Sequence, residues 1–257
     1  MTAFNLSTLT PPQRALVETA IARCRYDFAR CLPALRAQWG KTAIDVVFSD
    51  LSRFSAGARS AGDGHTHDDV HVNDPETGAV GHGIQHRHRV LGLAWSNGKI
   101  EIDASLESQS ELCQEVFLSE VAHQVDWFDP AMDAAGEERI WDAMHPGEHS
   151  TTGDHGHSWF DVGAYETWVG ESWMALFTAA TSDVAVTLTQ FVHKVTPEAI
   201  AVARELLGIG VSVSSYFATK RGKTFHDAHK GITAGRTYAT RALALSAGLR
   251  PCGVCRP

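Results

Sequence analysis

The sequence predicts an α+β fold, a small and mainly antiparallel sheet packed with helices, followed by a short basic segment. Three observations carry this. Apolar residues recur at three- and four-residue spacing in several long segments, two alternating runs meet at Asn97-Gly98, and positive charge is concentrated after Ser215.

After Pro11 and Pro12, the residues Leu16, Ile21, Phe28, Leu32 and Leu35 lie at helical spacing, which predicts one long helix to about Trp39, stopped by Gly40. The run AIDVVFSDL then reads as a strand. VLGLAWSNGKIEIDASL reads as a hairpin, because Asn-Gly suits a turn that needs positive φ. Between them, 58–88 reads as a long loop that is rich in histidine and glycine and has no periodicity. Its residue types suit either a metal or a polar surface. Helical spacing returns in ELCQEVFLSEVAHQVDWF, where one side is expected to pack and the other to carry polar residues. Further helices are expected in AYETWVGESWMALFTAA, DVAVTLTQFVHKV and PEAIAVARELLG.

The net charge of −8 divides unevenly. Residues 215–257 carry eight Lys or Arg against Asp227 alone, so an acidic body bears a basic tail suited to an acidic partner, either nucleic acid or a neighbouring subunit. Cys24, Cys31 and Cys113 lie among helical apolar residues and read as buried thiols rather than a disulfide framework. No run is long and apolar enough to span a membrane. The N-terminus lacks the pattern of a signal peptide, so a chain made and kept soluble in a cytoplasm is expected. The domain expectation is 1–210 for the body and 211–257 for the tail.

Two constellations carry chemistry. The first is SEVAHQVDWF, 119–128. A helix with His-Glu-x-x-His binds zinc through two histidines one turn apart, and its Glu takes a proton from the zinc-bound water. Here Glu120 and His123 hold the last two of those roles, and Ser119 stands where the first histidine would be. Trp127, Trp141, Trp159, Trp168 and Trp173 read as core or as the wall of a packed cleft.

The second is His226-x-x-His229, 22 residues, Cys252-x-x-Cys255. Two close ligand pairs joined by a short segment suit a tetrahedral structural zinc, and a segment of this size has little core of its own without such a staple.

The order of hairpin, helix SEVAH and downstream GESWMALF resembles the anthrax-lethal-factor-like branch of glutamate zincins. By that resemblance the body is a zincin-like domain, His123 and Glu171 are zinc ligands, Glu120 is the catalytic base and Asp126 orients His123. Three readings follow from Ser119: a site whose chemistry has lapsed, a second zinc site rebuilt with His155 or His157 of DHGHSWFD, and a plain Glu120–His123 pair across one helical turn.

The tail, with Phe225-His226 and GLRPCGVC, is similar to zinc modules of the Ada type and to the tails of some nucleases. The whole-chain order is similar to proteins of actinobacteria and their tailed phages. It implies a virion component, of the tail or head-tail region, that contacts other protein subunits. The alternatives are an active zinc metallopeptidase and a nucleic-acid-associated protein that uses the basic tail.

Overall fold

The computed structural model describes residues 3–55, 69–86, 89–144, 173–188, 195–210, 216–218, 223–225, 235–238 and 241–251. Within them the chain is mixed α+β, a sheet with helices packed against it.

Where one helix is expected, two form. α1 (Pro11–Arg23) opens with Thr10 and Gln13 capping each other reciprocally, and α2 (Leu32–Trp39) closes on Gly40 at φ +70°. Between them the chain leaves the helix at Cys24, and Asp27 caps a short 3₁₀ turn, Phe28–Cys31. The cause is tertiary. The Arg25 N–H donates to Thr181 C=O, and the Tyr26 hydroxyl and the Arg30 guanidinium both donate to the buried Asp129. Apolar spacing continues across this break because both helices face one core.

The strands are β1 (Phe4–Asn5), β2 (Ile44–Ser49), β3 (Asp69–Asn73), β4 (Val80–His86), β5 (Arg89–Val90), β6 (Gly92–Trp95) and β7 (Lys99–Asp103). They form one sheet in the order β1-β2-β7-β6-β4-β3, with β5 on β4. The expected hairpin is β6–β7, with Gly98 at φ +74°. β1, β2 and β7 run parallel to one another, so the sheet is antiparallel over its other half only.

The expected loop at 58–88 needs correction, because β3 and β4 occupy much of it. They pair Asp69↔Ile84 through Asn73↔Val80. Their turn is built by Asp74, whose carboxylate accepts from the Glu76 N–H at 2.9 Å and the Thr77 hydroxyl at 2.6 Å, with Gly78 at φ +70°. Val80, His82, Ile84 and His86 do alternate with Gly81, Gly83 and Gln85, but glycine and histidine carry little hydrophobic signal. Residues 56–68 lie outside the described residues.

After the single turn α3 (Ser52–Ser55), α4 (Ser110–Phe128) crosses the sheet and ends before Pro130. Its faces were expected to divide into packed and polar; instead Cys113 through Asp126 are all buried. Ile44, Val46, Ile84, Ile100 and Ile102 meet it from the sheet, and α1, α2 and α6 (Met174–Thr181) also pack on it. α5 (Ala134–Met144) and α7 (Pro197–Leu206) pack together. Leu51, Ala79, Val90, Leu93 and Trp95 form a smaller core on the other face of the sheet. Among the described residues no helix is long and apolar enough to cross a membrane.

The expected helix at DVAVTLTQFVHKV does not form over residues 183–188. The backbone there is captured by Glu115 of α4, whose carboxylate accepts from the Thr187 N–H, the Thr187 hydroxyl and the Leu188 N–H. Cys31 and Cys113 are buried thiols as expected, and burial raises both to about 12, where thiolate chemistry is suppressed. Cys24 is half-buried.

The described tail has a core of its own, Ala218, Phe225, Ala244 and Leu249. β8 (Tyr216–Ala218) pairs antiparallel with β10 (Arg236–Tyr238), and β9 (Thr224–Phe225) pairs parallel with β11 (Arg250–Pro251). α8 (Arg241–Ser246) joins the tail to the body, as the Ser246 hydroxyl accepts from the Val186 N–H at 2.7 Å.

Candidate functional site

α4 carries Ser119, Glu120, His123 and Asp126, as the motif requires, and each is buried. Their partners decide their chemistry. The Ser119 hydroxyl donates back to Glu115 C=O at 2.9 Å, a bond within its own helix. Glu120 Oε1 accepts from the Ile84 N–H of β4 at 3.2 Å. The β4–β6 pairing covers Gly81↔Trp95 and His82↔Ala94, and two residues on, the Ile84 carbonyl takes the Leu91 N–H while Glu120 takes the amide. Gln124, one turn later, donates to Trp95 C=O at 3.1 Å. One ridge of the helix is thereby fastened to two strands by side-chain-to-backbone bonds, which satisfies buried polar groups that the sheet leaves over.

This close approach needs glycine opposite the helix. A Cβ on Gly92 would stand 2.6 Å from Val116 Cγ1 and 2.7 Å from Glu120 Cγ, and closer still to Glu120 Oε1.

β4 also delivers a residue from the stretch expected to be a loop. The His82 ring lies 5.6 Å from the His123 ring, centroid to centroid. Trp127 stacks on His123 at 5.9 Å and 25°, and meets His82 edge-on at 5.3 Å. The available signal for His82 was the alternation across Val80-Gly-His-Gly-Ile84, with His82 and Ile84 on the strand face that meets α4.

Asp126, expected to orient His123, is a buried carboxyl whose Oδ1 finds no hydrogen-bond partner among the described residues. Burial pushes its pKa well above the usual carboxylate range, and Glu137 of α5 adds to the rise. Glu137 itself is raised from 4.5 to about 7, first by burial and then by Asp133.

An acid raised in the folded state binds more protons folded than unfolded, so its contribution to stability is complete below the unfolded pKa and is lost as pH rises through the folded one. Between pH 4.5 and about 7 the Glu137 site is therefore expected to lose stability. We expect a loss on the order of 1 kcal/mol, because solvent screens this half-buried side chain. Urea titrations across that window should show a smaller decline in Glu137→Gln than in the native chain; parallel declines refute this.

Among the described residues no three of His, Cys, Asp and Glu converge to hold a metal. Glu171, His155 and His157 of the expected central site, and His226, His229, Cys252 and Cys255 of the tail site, lie outside the described residues. Trp173 is fully buried and its indole N–H donates to Ala122 C=O of α4 at 2.9 Å. Trp127 and Trp141 pack at the edge of the core, and Trp159 and Trp168 lie outside the described residues. Compared with known proteins, the chain matches no family model, no curated protein and no solved structure.

Proposed function

We propose that this chain is a structural or binding protein on a zincin-like frame whose peptidase chemistry has lapsed. In this reading it is stapled by zinc at its tail and serves as a subunit of a larger assembly, the tail or head-tail region of a phage virion. The observation that supports the lapse is Ser119. A neutral hydroxyl is a poor zinc ligand, and this one is turned into its own helix toward Glu115 C=O. Glu120, the residue with the role of base, is buried and bonded to a strand amide, where it fastens helix to sheet.

The tail zinc is supported by register. Parallel pairing sets Phe225 opposite Pro251, and these are the residues directly before His226 and Cys252.

Two measurements test the reading. Incubated with zinc and a mixed peptide library, the full chain is expected to give no more cleavage than Glu120→Gln. Zinc-dependent cleavage that Glu120→Gln abolishes would refute the lapse and favour the metallopeptidase alternative. For the tail, the double variant Cys252→Ser, Cys255→Ser is expected to hold one zinc fewer per chain than the native protein by elemental analysis. Equal zinc content would remove the staple.

A further inference from the structure

We propose that β1 is a docking edge for an extended segment of a partner protein, which adds to the sheet as a further strand. The segment sets a bulky apolar side chain into the cavity beside β1 and brings a lysine or arginine to Glu18 and Asp27. β1 and β4 lie toward opposite ends of the sheet, so this site is separate from SEVAH on α4. It goes beyond the lapsed-peptidase reading and does not rest on it, because neither Ser119 nor a zinc enters.

Backbone hydrogen bonding is the first argument. β1 is the outermost strand on its side of the sheet and pairs with β2 alone. The Ile44 N–H donates to the Ala3 C=O, and the register Phe4↔Ile44, Asn5↔Asp45 turns the backbone groups of Asn5 the same way. Those of Phe4 therefore point to the open edge. Among the described residues neither the Phe4 N–H nor its C=O has a hydrogen-bond partner, although the residue is only 5% exposed. The C=O of Leu6, two residues on, is by contrast closed by the Leu9 N–H and the Arg14 guanidinium. Backbone groups with little access to water are nearly always paired, and an added strand supplies one acceptor and one donor to just such a residue.

The cavity is the second argument. About 670 Å³ of space adjoins this edge, between β1, α1 and the 26–29 segment. That is within the roughly 300–1,000 Å³ of ligand-binding clefts. Phe4, Ile21 and Phe28 give it apolar walls, and the exposed Ala22 and Ala29 add no bulk. In strand addition the main chain supplies affinity, and pockets for alternate side chains supply specificity. Here the open edge and the pocket meet at Phe4.

Charge is the third. Glu18 and Asp27 are exposed at the cavity, and neither makes an ion pair among the described residues. Arg14, the cation of this lining, is turned to the Leu6 C=O at 3.0 Å. The open charge is therefore negative and complements a basic residue on the incoming strand. A second copy is the poorer occupant, because pairing β1 on β1 about a two-fold axis would bring like acids together.

The test is a titration of the isotopically labelled full chain, followed by NMR, with a capped synthetic heptapeptide. The peptide has phenylalanine at its centre, lysine two residues to either side and threonine elsewhere. Saturable shifts of the Phe4, Asn5 and Glu18 amide signals are expected, with a Kd below about 1 mM. Glu18→Lys changes an exposed side chain and should weaken binding by about threefold or more. Two further peptides, N-methylated on alternate residues in the two possible frames, read the backbone. A strand offers one edge to β1, so one of them is expected to lose binding by more than about tenfold and the other to keep it.

An absence of saturable shifts at Phe4, equal behaviour of the two methylated peptides, or an unchanged affinity in Glu18→Lys overturns the proposal. Hydrogen-exchange protection at 3–6 that rises with protein concentration in the absence of peptide also overturns it, and gives the edge to a second copy.

Discussion

Replacing Gly92 with alanine is expected to lower the unfolding free energy by about 3 kcal/mol, a large effect for one methyl group. Overpacking a buried site costs about 1–3 kcal/mol, and leaving a buried amide unpaired adds about 1–3. Both apply here. The new Cβ would enter the space of Val116 Cγ1 and the Glu120 side chain, and Glu120 cannot retreat without releasing the Ile84 N–H. β6 cannot move away either, since it is paired with β7 on one side and β4 on the other. In urea the midpoint should fall with the slope unchanged, the sign of lost stability without a change in compactness. The double variant Gly92→Ala, Glu120→Ala gives the control. If the clash with Glu120 is the cause, the two losses fall short of additive by 1 kcal/mol or more. Full additivity would show that the methyl group meets a different obstacle.

Glu115→Ala is expected to cost about as much, roughly 3 kcal/mol, and to free the segment that follows α6. The carboxylate gathers three donors from two consecutive residues, Thr187 and Leu188, and the side chain is buried. Burial raises the Glu115 pKa, and the bonds from Thr187 and Leu188 pull it part of the way back. Removing the side chain leaves two backbone N–H groups and a hydroxyl to find water, so residues 183–188 should exchange their amides faster as well. Thr187→Val removes only the hydroxyl donor and should cost about 1 kcal/mol. A Glu115→Ala chain as stable as the native one, with unchanged exchange at 183–188, would mean that other contacts hold this segment.

These two residues show where local sequence stops being informative. Glu115 looks like any polar residue in a helical repeat, and DVAVTL looks like the start of another helix. Helical spacing is a property of neighbours within one turn, whereas the non-helical course of 183–188 depends on a carboxylate 72 residues earlier in the chain. The break at Cys24–Asp27 has the same origin. Its backbone and side chains answer to Thr181 and Asp129, which no local window contains.

The sequence by itself determined the elements whose signal is local. α4 follows from its apolar repeat, the β6–β7 hairpin from Asn97-Gly98 with alternating residues around it, and α7 from the helical spacing of PEAIAVARELLG. It also determined the spacing of the tail ligands and the charge difference between body and tail. Only the tertiary structure decided that β3 and β4 lie in the histidine-rich stretch, that Ser119 turns into its own helix, and that His82 comes to rest against His123. The physical reason is the same in each case. A buried apolar face writes its period into the chain, but a buried polar group acquires its role from whichever partner the fold brings to it, and that partner is set by packing across the sheet.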